Sequence, residues 1–254
     1  MKAAVLYEAR QPLKIEELKM PDVDDEDVLI KVASCGVCHT DLKVVEGRTR
    51  FTPPTILGHE VAGTVEQVGA YCKDFKSGDR VIIGMRYKCG RCRYCSSARE
   101  NLCERRPAPP PLKTIDGTIV TRWNVGGFAE YVSVPAYMAF KIPDGMSMEE
   151  ASVVGCRVTT AYNAVKHRAR LEPGDSALVI GCGGIGLNTI QFLKCFGAYP
   201  IIAVDIADEK LAAAKSFGAT HTINATAEDP VKAVIKLTDG GVDKAFEAIG
   251  NPKT

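Results

Sequence analysis

The fold of the second half of the chain is decided by one stretch, Ala177-Leu178-Val179-Ile180-Gly181-Cys182-Gly183-Gly184-Ile185-Gly186. Its first four residues form a continuous apolar run, which is typical of a strand buried on both faces of a parallel sheet. The run continues into the pattern G-x-G-x-x-G, whose glycines allow a tight turn and let a pyrophosphate approach the N-terminus of the next helix. The predicted cofactor contacts in this turn are Gly181, Gly183, Gly184 and Gly186.

An acidic residue follows at the distance that this turn requires. Asp205 ends the next predicted strand, about 20 residues after the glycines. Its carboxylate can accept hydrogen bonds from both adenosine ribose hydroxyls and repel a 2′-phosphate, which favours NAD over NADP. Lys210 is a further candidate ribose contact, with a solvated helix residue as the alternative. The alternative for the whole motif is a glycine-rich turn that binds no nucleotide.

Around this stretch, strands and helices alternate as in βαβ units. The patterns predict helices over 185–196, 209–217 and 230–237, and further strands over 201–204, 222–223 and 242–248. The chain stops after the fourth parallel strand, whereas a complete dinucleotide fold has six in the order 3-2-1-4-5-6. We therefore expect a second domain, residues 155–254, that is incomplete at its C-terminus.

The first half, residues 1–154, shows a different pattern of predicted elements. Short apolar strands separated by Gly, Pro and Asp turns predict a β-rich domain resembling a distorted barrel. The predicted strands cover residues 2–8, 28–33, 61–68, 80–83 and 126–134. Residues 105–127 are predicted to be a loop, because the prolines between residues 107 and 111 cannot join a helix or a central strand. The pattern changes after about residue 148, and residues 148–166 carry the signals of a helix.

Three distant residues of this sequence form a candidate metal site. His59 lies between a glycine and a glutamate, Cys38 precedes it, and Cys156 follows much later. Two thiolates and one imidazole suit zinc and leave a fourth position for water or substrate, which is the pattern of a catalytic zinc. The alternative for Cys156 alone is core packing, and Cys35 is interpreted as a buried thiol.

Four more cysteines are spaced as Cys89-x2-Cys92-x2-Cys95-x7-Cys103. Four thiolates at short spacing close a tetrahedral shell, which predicts a structural zinc that folds the lobe 89–103. The alternative is an iron–sulfur cluster, whose bacterial ferredoxin run begins similarly but has a shorter last gap.

Composition excludes several classes of protein. The 254 residues are 46% hydrophobic and 25% charged with a formal net charge of +1, which argues against nucleic acid or an anionic membrane as the main partner. The N-terminus lacks the apolar region of a signal peptide, and no apolar run reaches the length of a membrane span. We predict a cytoplasmic protein whose ten cysteines are not paired in disulfides.

These motifs, in this order, resemble those of the zinc-containing medium-chain alcohol dehydrogenases. The motifs that carry the resemblance span the chain: Cys35-Gly36-Val37-Cys38-His39-Thr40-Asp41, Gly58-His59-Glu60, the four-cysteine lobe, Gly155-Cys156 and the glycine turn with Asp205. The resemblance implies an α/β protein with a GroES-like catalytic domain and a partial Rossmann domain. It also implies longer relatives, and a dimeric or tetrameric homo-oligomer for a full-length chain.

The resemblance also implies roles for individual residues. Thr40 corresponds to the hydroxyl that takes the alcohol proton, and Glu60 to the carboxylate near the metal. His39 corresponds to a residue near the cofactor phosphates, and Thr160 to one near the nicotinamide. Lys43 stands where many members carry a relay histidine. The zinc ligands implied are Cys38, His59 and Cys156 for the catalytic ion, and Cys89, Cys92, Cys95 and Cys103 for the structural ion.

The function implied is reversible, NAD-linked oxidation of a small alcohol to an aldehyde or ketone. Its alternatives are a catalytically inactive fragment, a zinc-stabilised nucleotide-binding module, and a reductase of a larger aldehyde that uses the same residues.

Overall fold

The computed structural model describes residues 1–252 and 254. They divide into two compact units, Met1–Cys156 and Arg157–Thr254, each with its own hydrophobic core. The first unit therefore includes Cys156, which the sequence analysis places in the second domain. Among the described residues, no helix combines the length and the apolar character needed to cross a lipid bilayer.

The first unit is built mainly from short strands. Its strands are β1 (Lys2–Leu6), β2 (Lys14–Glu17), β3 (Asp27–Gly36), β4 (Thr55–Ile56), β5 (Glu60–Val68), β6 (Arg80–Ile83), β7 (Leu112–Lys113), β8 (Ile119–Arg122), β9 (Tyr131–Pro135) and β10 (Ala139–Lys141). Its α-helices are α1 (His39–Val45) and α2 (Met148–Ser152). The described strands form two sheets, with orders β2-β1-β4-β8-β7 and β10-β6-β5-β3-β9.

The core of this unit lies on the second sheet, where β3 and β5 pair antiparallel. Val28 and Ile30 of β3, and Val61 and Val65 of β5, are almost fully buried. β-branched side chains pack well on a pleated, covered surface, so these strands follow directly from composition. The start of β5 positions His59 and Glu60, which are buried with the core residues around them.

Two predictions for this unit are wrong in detail. The predicted loop 105–127 contains β7 and β8, whose pairing places them at the end of the first sheet. The predicted helix 148–166 is broken: α2 begins at the capping residue Ser147 and is followed by a 3₁₀ turn, Val153–Gly155. Gly155 ends this turn beside β6, where a Cβ would lie only 2.7 Å from the carbonyl oxygen of Ile83, so the position requires glycine.

The second unit alternates strands and helices. After α3 (Arg157–Asn163) and a π-helical turn (Ala164–Arg168), it contains β11 (Ala177–Ile180), α4 (Gly184–Cys195), β12 (Ile201–Asp205), α5 (Asp208–Phe217), β13 (His221–Asn224), α6 (Pro230–Thr238) and β14 (Lys244–Glu247). The described strands pair in parallel in the order β13-β12-β11-β14. This is the 3-2-1-4 part of the dinucleotide-binding order, and it places the loop after β11 beside the end of β12.

Candidate metal and cofactor sites

The three predicted ligands of the catalytic metal converge in the first unit. Ligand atoms of Cys38, His59 and Cys156 all lie within 4.8 Å of one another. Cys38 is the residue before α1, His59 precedes β5, and Cys156 follows the 3₁₀ turn after α2. His59 is 1% exposed and Cys156 6% exposed. The fold therefore brings together soft donors from three separate elements in a largely buried position.

The electrostatics of this group favour a bound cation. A hydrogen bond with Cys156, opposed by burial and assisted by bonds with His59 and Thr40, lowers the pKa of Cys38 to about 3. The same bond, burial and the nearby charges of Cys38 and Glu60 raise the pKa of Cys156. A thiolate is thus available at neutral pH, as metal binding requires. Two sulfurs and an imidazole fit Zn²⁺, which accepts these donors in tetrahedral sites.

Two further predicted residues lie at this group. Thr40 Oγ1 lies 3.4 Å from Cys38 Sγ, and Thr40 is exposed to solvent. Glu60 is fully buried, and its side chain forms a hydrogen bond with Cys156. A hydroxyl that reaches both a metal ligand and solvent can move a proton, whereas a buried carboxylate adds negative charge that favours a cation.

Asp41 is a site residue that the sequence analysis missed. It is 2% exposed, and its Oδ1 lies 3.2 Å from His59 Nδ1 and accepts a 3.2 Å hydrogen bond from the Gly58 amide. Its Oδ2 accepts a 3.0 Å bond from the Cys38 amide. Burial opposes protonation of His59, but the bonds with Asp41 and Cys38 outweigh it and raise the pKa of His59 to about 9. Asp41 occupies Nδ1, so Nε2 is the ring nitrogen left for a metal.

We expect Asp41→Asn to weaken zinc binding at this group by about 10- to 100-fold, because a carboxylate that orients a ligating imidazole also makes it more basic. Competition with a chromophoric chelator measures the affinity. Asp144→Asn removes an exposed aspartate of the same unit and serves as the control. An unchanged affinity in Asp41→Asn would show that the carboxylate only shapes the loop.

The four predicted ligands of the structural metal also converge. The sulfurs of Cys92 and Cys95 lie 3.5 Å apart, and those of Cys92 and Cys103, and of Cys89 and Cys95, lie 3.9 Å apart. Four thiolates around a tetrahedral zinc have sulfurs about 3.8 Å apart. Backbone hydrogen bonds, with Cys95 the largest contributor, lower the pKa of Cys92 to about 6. Both the spacing and the chemistry of the donors fit one zinc ion.

The glycine turn of the second unit has the predicted shape. Gly181 has φ +93°, and a Cβ at Gly186 would lie 1.8 Å from the Gly181 carbonyl oxygen, so the turn and the close approach of α4 both require glycine. At Gly183 an added Cβ would meet no described atom within 4 Å. One side of the turn is therefore packed against α4, and the side that Gly183 faces is open.

Asp205 ends β12 directly beside this turn. Its Oδ2 accepts a 2.7 Å hydrogen bond from the Cys182 amide, and its Oδ1 accepts bonds from the Ile206 and Ala207 amides. Burial opposes ionisation, but these three bonds and the charge of Lys210 hold the pKa of Asp205 below its usual range. Asp205 is therefore an anion at neutral pH and holds the turn against the second strand.

The remaining predicted residues are exposed. His39 begins α1 next to Cys38, and its side chain is not part of the metal-binding group among the described residues. Thr160 lies on α3 and Lys210 on α5. Their roles toward a cofactor stay predictions.

Known families match both units. The family described as alcohol dehydrogenase GroES-like domain matches residues 24–144. The family described as zinc-binding dehydrogenase matches residues 184–254.

Solved structures agree over nearly the whole chain. An alcohol dehydrogenase zinc-binding domain protein from Burkholderia ambifaria is 32% identical with a TM-score of 0.92; the match covers 99% of this chain and 71% of that one. Benzyl alcohol dehydrogenase from Acinetobacter calcoaceticus is 31% identical, with a TM-score of 0.90 and coverage of 99% and 71%. A Sinorhizobium meliloti protein whose structure was solved bound to NADP is 32% identical, with a TM-score of 0.86 and coverage of 99% and 70%. This zinc-binding oxidoreductase, with a GroES-like and a Rossmann-like domain, belongs to the zinc-containing medium-chain alcohol dehydrogenase family.

Proposed function

We propose that this protein catalyses the reversible, NAD-linked oxidation of an alcohol to an aldehyde or ketone. The observation that carries the proposal is the convergence of Cys38, His59 and Cys156, whose ligand atoms lie within 4.8 Å of one another. A three-donor set of this kind leaves one coordination position for substrate, whereas the four-cysteine group does not.

In this proposal Cys38, His59 and Cys156 hold one zinc and the four cysteines of the lobe hold another. When bound, the first zinc supplies a Lewis acid for the alcohol oxygen, and the nicotinamide supplies the hydride acceptor. Thr40 Oγ1 would accept the hydroxyl proton of the alcohol while the hydroxyl releases its own proton to solvent, to which Thr40 is open. Asp41 keeps the His59 ring in one orientation through its contact with Nδ1.

Asp205 supports NAD as the cofactor. Its carboxylate is ionised and fixed by three backbone amides beside the glycine turn. A fixed anion at this position attracts ribose hydroxyls and repels a 2′-phosphate. The alternative is NADP, because the Sinorhizobium meliloti protein was solved with NADP bound.

We further propose a small-molecule alcohol or aldehyde as substrate, and a homo-oligomer as the assembled form. The net charge of +1 argues against nucleic acid or an anionic membrane surface as the main partner. The cytoplasmic location remains part of this proposal.

The proposal is tested by following NADH formation by the zinc-loaded protein with a panel of primary, secondary and benzylic alcohols. Turnover with at least one alcohol and NAD is the expected result. Loading of two zinc ions and binding of NADH without turnover on any alcohol or aldehyde would instead favour a zinc-stabilised nucleotide-binding module.

We expect Asp205→Asn to lower the ratio of kcat/KM for NAD to that for NADP by at least about tenfold, because the substitution removes a negative charge from the 2′-phosphate position. The ratio is measured by steady-state kinetics with saturating alcohol. Asp239→Asn, which removes a charge at the C-terminal end of α6, should leave the ratio unchanged. A ratio unaffected by Asp205→Asn would contradict the assignment of Asp205 to the ribose.

A further inference from the structure

The glycine turn of the second unit lies beside a guanidinium group that no motif identifies. A Cβ placed on Gly184 would lie 3.3 Å from Cδ and 3.4 Å from Nη1 of Arg157. Arg157 is half-buried at the beginning of α3, whereas Gly183 and Gly184 are exposed. The arginine therefore lies along the rim of the turn and leaves the space above Gly183 open.

The first turn of α4 carries no side chain of its own, in the described structure, that would cap the helix or repel an anion. Gly183 is the residue before α4 and offers no side chain to cap the helix, and the first turn of α4 contains no acidic residue in the described structure. The first amides of such a helix carry a partial positive charge and need hydrogen-bond acceptors. A phosphate above Gly183 would meet these amides on one side.

We propose that Arg157 binds the pyrophosphate of the dinucleotide cofactor at the rim of the glycine turn. This inference rests on the proposed function, because it assumes that the turn binds a dinucleotide. Arginine presents paired N–H donors that match two oxygens of a phosphate, and such charge-assisted bonds are stronger than neutral ones. The α4 amides and the guanidinium together neutralise an anion that the glycine turn alone would only partly compensate.

The proposed role of Arg157 differs from that of Asp205 because the two residues contact different parts of the cofactor. Asp205 is assigned to the ribose, which NADH, ADP-ribose and adenosine share. Arg157 is assigned to the pyrophosphate, which adenosine lacks. Removing Arg157 should therefore weaken the binding of NADH and ADP-ribose more than the binding of adenosine.

The experiment measures NADH binding by fluorescence, and ADP-ribose and adenosine binding by displacement of NADH, in the zinc-loaded protein. Arg157→Ala should lower the affinity for NADH and ADP-ribose by about 10- to 100-fold and change the affinity for adenosine by no more than about twofold. Arg157→Lys keeps the charge and should recover part of the loss. Arg168→Ala, an exposed arginine of the same unit, is the matched control and should bind all three ligands as the wild type does.

Salt dependence gives a second readout. If Arg157 neutralises the pyrophosphate, the affinity for NADH should depend less on ionic strength in Arg157→Ala than in the wild type. Equal NADH affinity in Arg157→Ala and wild type, or an equal loss for adenosine and NADH, would overturn the proposal. If Arg157→Ala does not fold, equal NADH affinity and salt dependence in Arg157→Lys and Arg157→Gln would overturn it. A wild-type protein that binds no NADH would instead refute the proposed function itself.

Discussion

Cys38→Ala is expected to lower kcat/KM for alcohol oxidation by at least about a thousandfold, because it removes one of the three donors proposed to hold the catalytic metal. Cys38 is also the thiol whose pKa falls to about 3, so it supplies the thiolate that attracts the cation. A loss of this size corresponds to about 4 kcal/mol of transition-state stabilisation. Steady-state kinetics with NAD and the best alcohol give the value.

Native mass spectrometry of the same variant separates loss of the metal from loss of the fold. Cys38→Ala should carry one zinc instead of two and still bind NADH, because the glycine turn lies in the second unit. Cys195→Ala removes an exposed thiol outside both metal-binding groups and should keep both ions and full activity. Undiminished turnover by Cys38→Ala would refute the mechanism.

Cys92→Ser is expected to remove the other zinc and to lower the free energy of unfolding of the first unit by more than about 4 kcal/mol. Cys92 is the most enclosed sulfur of its group at 4% exposed, and it contacts the sulfurs of Cys95 and Cys103. The lobe 89–103 contains only two short 3₁₀ turns, so we expect a bound metal to take the place of a hydrophobic core in this lobe. Urea denaturation and zinc content are the measurements.

The matched control for this variant is Cys72→Ser, which makes the same chemical change at a half-buried thiol outside both groups. It should keep two zinc ions and lose at most about 1–2 kcal/mol, since only the packing of one sulfur against the core changes. Rapid proteolysis between residues 89 and 103 in Cys92→Ser, but not in Cys72→Ser, would locate the damage. A Cys92→Ser protein as stable as the wild type would contradict a structural role for the metal.

Local patterns predicted most of what the structure contains. The glycine turn, the strand before it and the four-cysteine spacing each lie within a short segment, where geometry follows from sequence. The resemblance to a known family, rather than spacing, linked Cys38 and His59 to the distant Cys156.

Contacts between distant segments were not accessible to the same reasoning. Asp41 belongs to the motif that contains Cys38, but only the fold shows it against His59. The carbonyl of Ile83, which is remote in sequence, lies so close to Gly155 that only glycine fits there. The position of Arg157 beside Gly184 is likewise a product of packing. Periodicity describes which face of an element is buried, but it does not say which element covers it.

The two candidate metal groups close chain segments of very different length, and we expect this difference to set the order in which they form during folding. Cys89 and Cys103 are 14 positions apart, so the lobe can close around its ion before the sheets assemble. Cys38 and Cys156 are 118 positions apart, and joining such distant segments carries a larger loop-closure cost and slower kinetics. We therefore expect the ion proposed for Cys38, His59 and Cys156 to bind only after most of the first unit has folded, so that its incorporation would report on correct folding.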